Sequence, residues 1–101
     1  MEKKRAQHDL SKIKAMFVKT SSLNITRTAL NDAMELGLSL EDIVEVIGKM
    51  THKQFFKSMT SKVDHKIWQD VYHVFWREYE LYVKFTTDSM GNYLLIGFKE
   101  K

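Results

Sequence analysis

The hydrophobic period of this chain changes once, near residue 54, and that change limits the fold more than any other feature of the sequence. Before it, apolar residues recur every three or four positions, as they do along one face of a helix. Leu10, Ile13, Met16 and Phe17 mark a first amphipathic helix over about residues 9–18, with Lys12, Lys14 and Lys19 on its other side. Ala29, Leu30, Ala33 and Met34 mark a second over about residues 26–36, with Gly37 placed to end it. Ser39 and Asp42 have the spacing of a capping box ahead of a third helix, whose apolar stripe is Leu40, Ile43, Val44 and Ile47. After the change, aromatic and β-branched residues accumulate. Residues 67–77 and 81–87 read as strands, and Asp88 to Asn92 as the turn of a hairpin that continues into a strand over 93–99. Residues 55–60 admit two readings, because Thr51 and Gln54 could cap another short helix; the strand is the expected one. With no proline and no internal repeat, the order of elements predicts an α+β fold: N-terminal helices packed on one side of a twisted, mainly antiparallel sheet. Residues 1–101 are expected to form a single domain.

Composition removes several function classes. The chain has no cysteine, so neither a disulfide framework nor a thiolate zinc site is available. No pair among His8, His52, His65 and His73 has the helical i, i+4 spacing of a zinc protease, so no metal is expected. A Gly-rich phosphate loop and a nucleophile elbow are both missing, and no cofactor is expected. No apolar run approaches the roughly 18 residues that a membrane helix needs. The opening stretch is charged without an apolar segment behind it, so the expected location is the cytoplasm with no membrane contact. Sixteen Lys and Arg against thirteen Asp and Glu admit a polyanionic partner such as RNA without requiring one.

Three polar side chains stand out within the strand-rich half. Lys57 follows two phenylalanines, Gln69 lies within Ile67-Trp68-Gln69-Asp70-Val71-Tyr72, and Tyr82 separates Leu81 from Val83. Alternation puts Tyr82 and Lys84 on one face, with Leu81, Val83 and Phe85 on the other. Metal-free RNA cleavage needs a base for the 2′-hydroxyl proton, donors for the charge on the phosphorane, and a proton for the leaving 5′ oxygen. Lys, Tyr and Gln can fill those roles. Each also has an ordinary use in a sheet, as a solvated charge, a packed ring or a cross-strand partner, and Trp68 and Trp76 more often fill cores than stack bases. Residue chemistry by itself stops at a basic α+β domain for which RNA is an admissible partner.

The stretch Phe56-Lys57-Ser58-Met59-Thr60, followed by Asp64-His65-Lys66-Ile67-Trp68-Gln69-Asp70-Val71-Tyr72, closely resembles the MqsR (motility quorum-sensing regulator) toxin family. Leu81-Tyr82-Val83-Lys84 and Gly97-Phe98-Lys99-Glu100-Lys101 resemble that family's last strands. Thr26-Arg27-Thr28-Ala29-Leu30 and Glu35-Leu36-Gly37-Leu38 keep the match in register through the first half. The resemblance implies a RelE-like fold and an endoribonuclease that cuts mRNA at GCU-type triplets. It implies a place in a type II toxin–antitoxin system, with an MqsA-like antitoxin as partner. It also implies that Lys57, Gln69 and Tyr82 are the catalytic residues, Lys57 neutralising phosphate charge or assisting proton transfer, Tyr82 exchanging a proton with an RNA oxygen, and Gln69 orienting the scissile group. Phe56, His65, Lys84 and Lys99 are the accompanying candidates for RNA contact.

The sequence departs from the family pattern in three places. Phe56 stands where a tyrosine would precede the lysine, and His73-Val74-Phe75-Trp76-Arg77 replaces a more basic, proline-containing segment. The Asp88 to Asn92 turn is longer. These departures bear on triplet preference and on loop contacts. A non-catalytic RNA-binding or transcription-regulatory module is the alternative, since a basic face with aromatics needs no proton-transfer geometry.

Overall fold

Each helix of the computed structural model, which describes residues 1–101, begins where a side chain takes up free backbone N–H groups. For α1 (Leu10–Met16) the Asp9 carboxylate accepts from the N–H groups of Ser11 at 2.9 Å and Lys12 at 3.3 Å. For α2 (Arg27–Glu35) the Thr26 hydroxyl accepts from the Ala29 N–H at 3.2 Å. For α3 (Leu40–Lys49) the capping box is reciprocal: Ser39 accepts from the Asp42 N–H at 3.1 Å, and Asp42 from the Ser39 N–H at 2.9 Å. Gly37, at φ 77°, ends α2, and the N–H groups of Gly37 and Leu38 donate back to the carbonyls of Met34 and Ala33.

The buried stripes differ in detail from the expected ones. The first helix is shorter than residues 9–18, because Phe17 leaves helical geometry while its ring stays in the core. Met34 and Leu40 are exposed, and the buried face of α3 runs through Ile43, Val46, Ile47 and Met50. That set has the i, i+3, i+4, i+7 spacing of a single stripe, which places Val46 under the sheet and moves Val44 to its flank.

The strands are β1 (Glu2–Lys3), β2 (Phe55–Thr60), β3 (Trp68–Trp76), β4 (Tyr79–Thr87) and β5 (Tyr93–Glu100). They pair in sequence order, every neighbour antiparallel. Both readings of the segment after Met50 occur in succession, since Thr51 and Gln54 cap one 3-10 turn, His52–Gln54, and β2 starts at the next residue. β4 starts two residues earlier than expected, because Arg77 and Glu78 alone form the turn from β3, with Arg77 at φ 53°. β1, too short to show a period, was not anticipated.

All three helices cover one face of the sheet. Tyr72, Val83, Phe85 and Phe98 from the strands meet Ile13, Phe17, Ile43 and Ile47 from the helices, all fully or almost fully buried. Each such side chain contributes about 1.5–3 kcal/mol of burial free energy. The other face is left to solvent, and the functional candidates lie there. No helix is long and apolar enough to cross a membrane.

Candidate active site on the uncovered face of the sheet

Because Tyr72 and Val74 of β3 point to the helices, Gln69, Val71 and His73 point the other way. The strand register then fixes their neighbours. Lys57, Val71, Lys84 and Gly97 form one cross-strand row, and His73, Tyr82 and Lys99 form the next. Met59 faces Gln69 on the opposite side of Val71. Lys57, Gln69 and Tyr82 thus come from three strands and surround Val71. Val71 is fully buried although it lies outside the core beneath the helices, so it is these surrounding side chains that cover it.

Lys57 reaches this face through an irregularity in β2. Phe55 pairs with Tyr72 and packs edge-on against it in the core, whereas Lys57 pairs with Val71, leaving Phe56 as an extra residue. An uninterrupted ladder from Phe55 would set Lys57 opposite Asp70, on the helix side. The extra Phe56 stacks on the His73 imidazole, with ring centroids 4.2 Å apart and planes 22° from parallel. On the far side, the Tyr82 ring lies over Gly97, where a Cβ would come within 3.6 Å of it and within 3.2 Å of the Lys84 Cβ.

Charge on this face is unevenly neutralised. Lys57 Nζ sits 2.9 Å from the Glu2 carboxylate, and that hydrogen bond and charge hold the Glu2 carboxyl below its usual range. Lys84 and Lys99 flank the Tyr82 ring at 5.7 and 5.4 Å and have no carboxylate in salt-bridge contact. Burial, and then the charge of Lys99, pushes the Lys84 ammonium down. Burial pushes the Tyr82 phenol up, against the opposing charge of Lys57, so the phenol keeps its proton at neutral pH. Burial, and then Lys101, lowers the His73 imidazole, with Glu80 acting the other way. An anion arriving here would relieve the Lys84–Lys99 repulsion.

Gln69 and Lys84 also line a half-open cavity of about 330 Å³, together with Met59, Thr60 and residues 61–63. A more open hollow of about 700 Å³ runs along residues 4–9 to His52 and Phe55. Asp70, fully buried, accepts from the N–H groups of Gln7 and His8 and from the Ser58 hydroxyl at 2.6 Å. This carboxylate fastens the N-terminal segment to β3, which directs β1 along β2 and brings Glu2 to Lys57. No three His, Asp or Glu side chains converge as metal ligands would.

Of the residues singled out from the sequence, Lys57, Gln69, Tyr82, Phe56, Lys84 and Lys99 share this face. His65 does not, being exposed in the connection between β2 and β3. Glu2, His73 and Gly97 belong to the site and were missed. For His73 a signal existed, since alternation from Gln69 through Val71 places it on the same face.

The family described as "Motility quorum-sensing regulator, toxin of MqsA" matches residues 5–100 of the chain. The chain is also 39% identical over 101 residues to the mRNA interferase toxin MqsR of Escherichia coli, a match that covers 100% of each protein. On the extent of both matches, this chain belongs to the MqsR toxin family.

Proposed function

We propose that the protein is an endoribonuclease that cleaves mRNA as the toxin of a toxin–antitoxin pair, with Lys57, Gln69 and Tyr82 carrying the reaction. The observation that supports this reading best is the convergence of those three side chains, from three strands, on the one face that no helix covers. The Escherichia coli relative is named an mRNA interferase. In this reading Lys57, with Lys84 and Lys99, holds the scissile phosphate and offsets the charge that grows on its oxygens. An incoming phosphate takes over Lys57 from Glu2. The Gln69 amide donates to a phosphate or ribose oxygen and fixes the in-line geometry, while the Tyr82 phenol gives its proton to the leaving 5′ oxygen. Cleavage falls at GCU-type triplets, stops translation, and is suppressed by an MqsA-like antitoxin.

The test is incubation of the purified protein with end-labelled single-stranded RNA carrying GCU in varied contexts, with and without EDTA. The expected products carry a 2′,3′-cyclic phosphate and a 5′-hydroxyl, form equally in EDTA, and cease to form when the antitoxin is added. RNA that is bound in a salt-dependent way but stays intact would favour the non-catalytic module instead.

A further inference from the structure

Resting on the ribonuclease reading, we propose that His73 is a further catalytic residue, the base that takes the 2′-hydroxyl proton from the RNA.

His73 pairs with Tyr82 across β3 and β4 on the uncovered face, with the two ring centroids 6.2 Å apart. Phe56 closes one side of the imidazole by stacking on it, and the Lys57 ammonium lies 5.5 Å above that same phenylalanine ring. The ring plane is therefore fixed between Phe56 and Tyr82, and neither ring nitrogen is engaged in a hydrogen bond with the protein. A histidine kept for structure in a sheet normally spends at least one nitrogen on a neighbour. This one keeps both for whatever lands on the face.

The charged and titratable neighbours agree with the role. Lys57 faces the ring from β2, Tyr82, Glu80 and Lys84 from β4, and Lys99 and Lys101 from the end of the chain. Burial, and then the charge of Lys101, lowers the imidazole and so favours its unprotonated form at neutral pH, while burial keeps the proton on Tyr82. A base and an acid stand on neighbouring strands with ring centroids 6.2 Å apart, and cyclising cleavage needs one group for the 2′ oxygen and one for the 5′ oxygen.

A ring nitrogen of His73 accepts the 2′-OH proton as the 2′ oxygen bonds to phosphorus. The P–O5′ bond breaks with its electron pair on O5′, which takes the phenolic proton of Tyr82. The products are a 2′,3′-cyclic phosphate and a 5′-hydroxyl, and solvent returns a proton from the imidazolium to the phenolate.

The experiment is the single-turnover cleavage rate of a short GCU-containing RNA as a function of pH, with melting temperature and RNA affinity measured alongside. The wild type should lose rate as His73 protonates, at a pH below the ordinary imidazole value of about 6.5. His73→Gln should lower the neutral-pH rate by about 10²- to 10⁴-fold and remove that acid limb. His73→Phe, which keeps a ring for Phe56 to stack on, should be as slow. Imidazole added to His73→Ala should restore cleavage, and should not restore Lys57→Ala. A His73→Phe protein that cleaves within threefold of wild type, or an acid limb that persists in His73→Gln, overturns the assignment while leaving the ribonuclease reading intact. A folded wild type that leaves every RNA uncut overturns both.

Discussion

Asp70 holds the backbone N–H of Gln7 with both of its carboxylate oxygens, at 3.1 and 3.0 Å, across 63 residues of sequence. The same carboxylate takes the next N–H, that of His8, at 2.8 Å and the Ser58 hydroxyl at 2.6 Å. A fully buried acceptor serving three donors has no neutral substitute of the same shape. Asp70→Asn sets an amide NH₂ against donors, and should cost about 2–4 kcal/mol in urea unfolding. Ser58→Ala, which removes one donor and leaves the carboxylate its two backbone partners, should cost less.

Substitutions at the proposed catalytic positions should separate rate from stability. Lys57→Ala and Tyr82→Phe should slow RNA cleavage by about 10²- to 10³-fold, with Gln69→Ala less impaired. Tyr82→Phe deletes a hydroxyl that makes no hydrogen bond within the protein, so its melting temperature should match wild type. Cleavage at the parental rate by folded Tyr82→Phe would reduce Tyr82 to a packing residue.

Gly97 sets how closely Tyr82 lies to the sheet. Its φ is outside the left-handed range, so β5 accepts a side chain there, but even a Cβ would stand 3.2 Å from that of Lys84. Gly97→Val should therefore displace Tyr82 and Lys84, and lower the cleavage rate by about 10-fold or more with little change in melting temperature. Gly97→Ala should fall between the two. Equal rates for all three would show that the tyrosine needs no such seat.

Tyr72 gives a pH test independent of RNA. Burial, aided by the charges of Asp70 and Asp9, pushes its phenol up to about 12, and the hydroxyl has no hydrogen-bond partner. An unfolded tyrosine releases its proton near pH 10, so between about 10 and 12 the unfolded state binds fewer protons than the folded one. Stability is complete below pH 10 and falls as pH rises through that window. Tyr72→Phe should leave stability at pH 7 equal or higher and reduce the loss at pH 11, as read from urea midpoints.

What the sequence made legible was local. Ser39 with Asp42, Gly37 after α2, and the Asp88 to Asn92 turn act within a few residues, and each stands where its spacing indicated. The alternation of β4 likewise separated Tyr82 and Lys84 from Leu81, Val83 and Phe85. What stayed hidden depends on other strands. The pairing of Glu2 with Lys57 needs β1, which is two residues long, and the Arg77-Glu78 turn carries no glycine or asparagine to announce it. His73 precedes Val74, Phe75 and Trp76, apolar on both faces, which masks the period that would have flagged it. Lys57, Gln69 and Tyr82 meet only through the register of three strands, and it was the family resemblance that singled them out.

The extra residue in β2 also makes strand length separable from strand identity. A chain lacking Phe56 would run Phe55 opposite Tyr72 and Lys57 opposite Val71 as a regular ladder, with every later pair unchanged. Within the regular ladders a one-residue gap turns a whole strand inside out. Here it would remove a single aromatic ring from above His73, making this, with Ile96 in β5, one of two points at which relatives can differ in length without exchanging the inside of the protein for its outside.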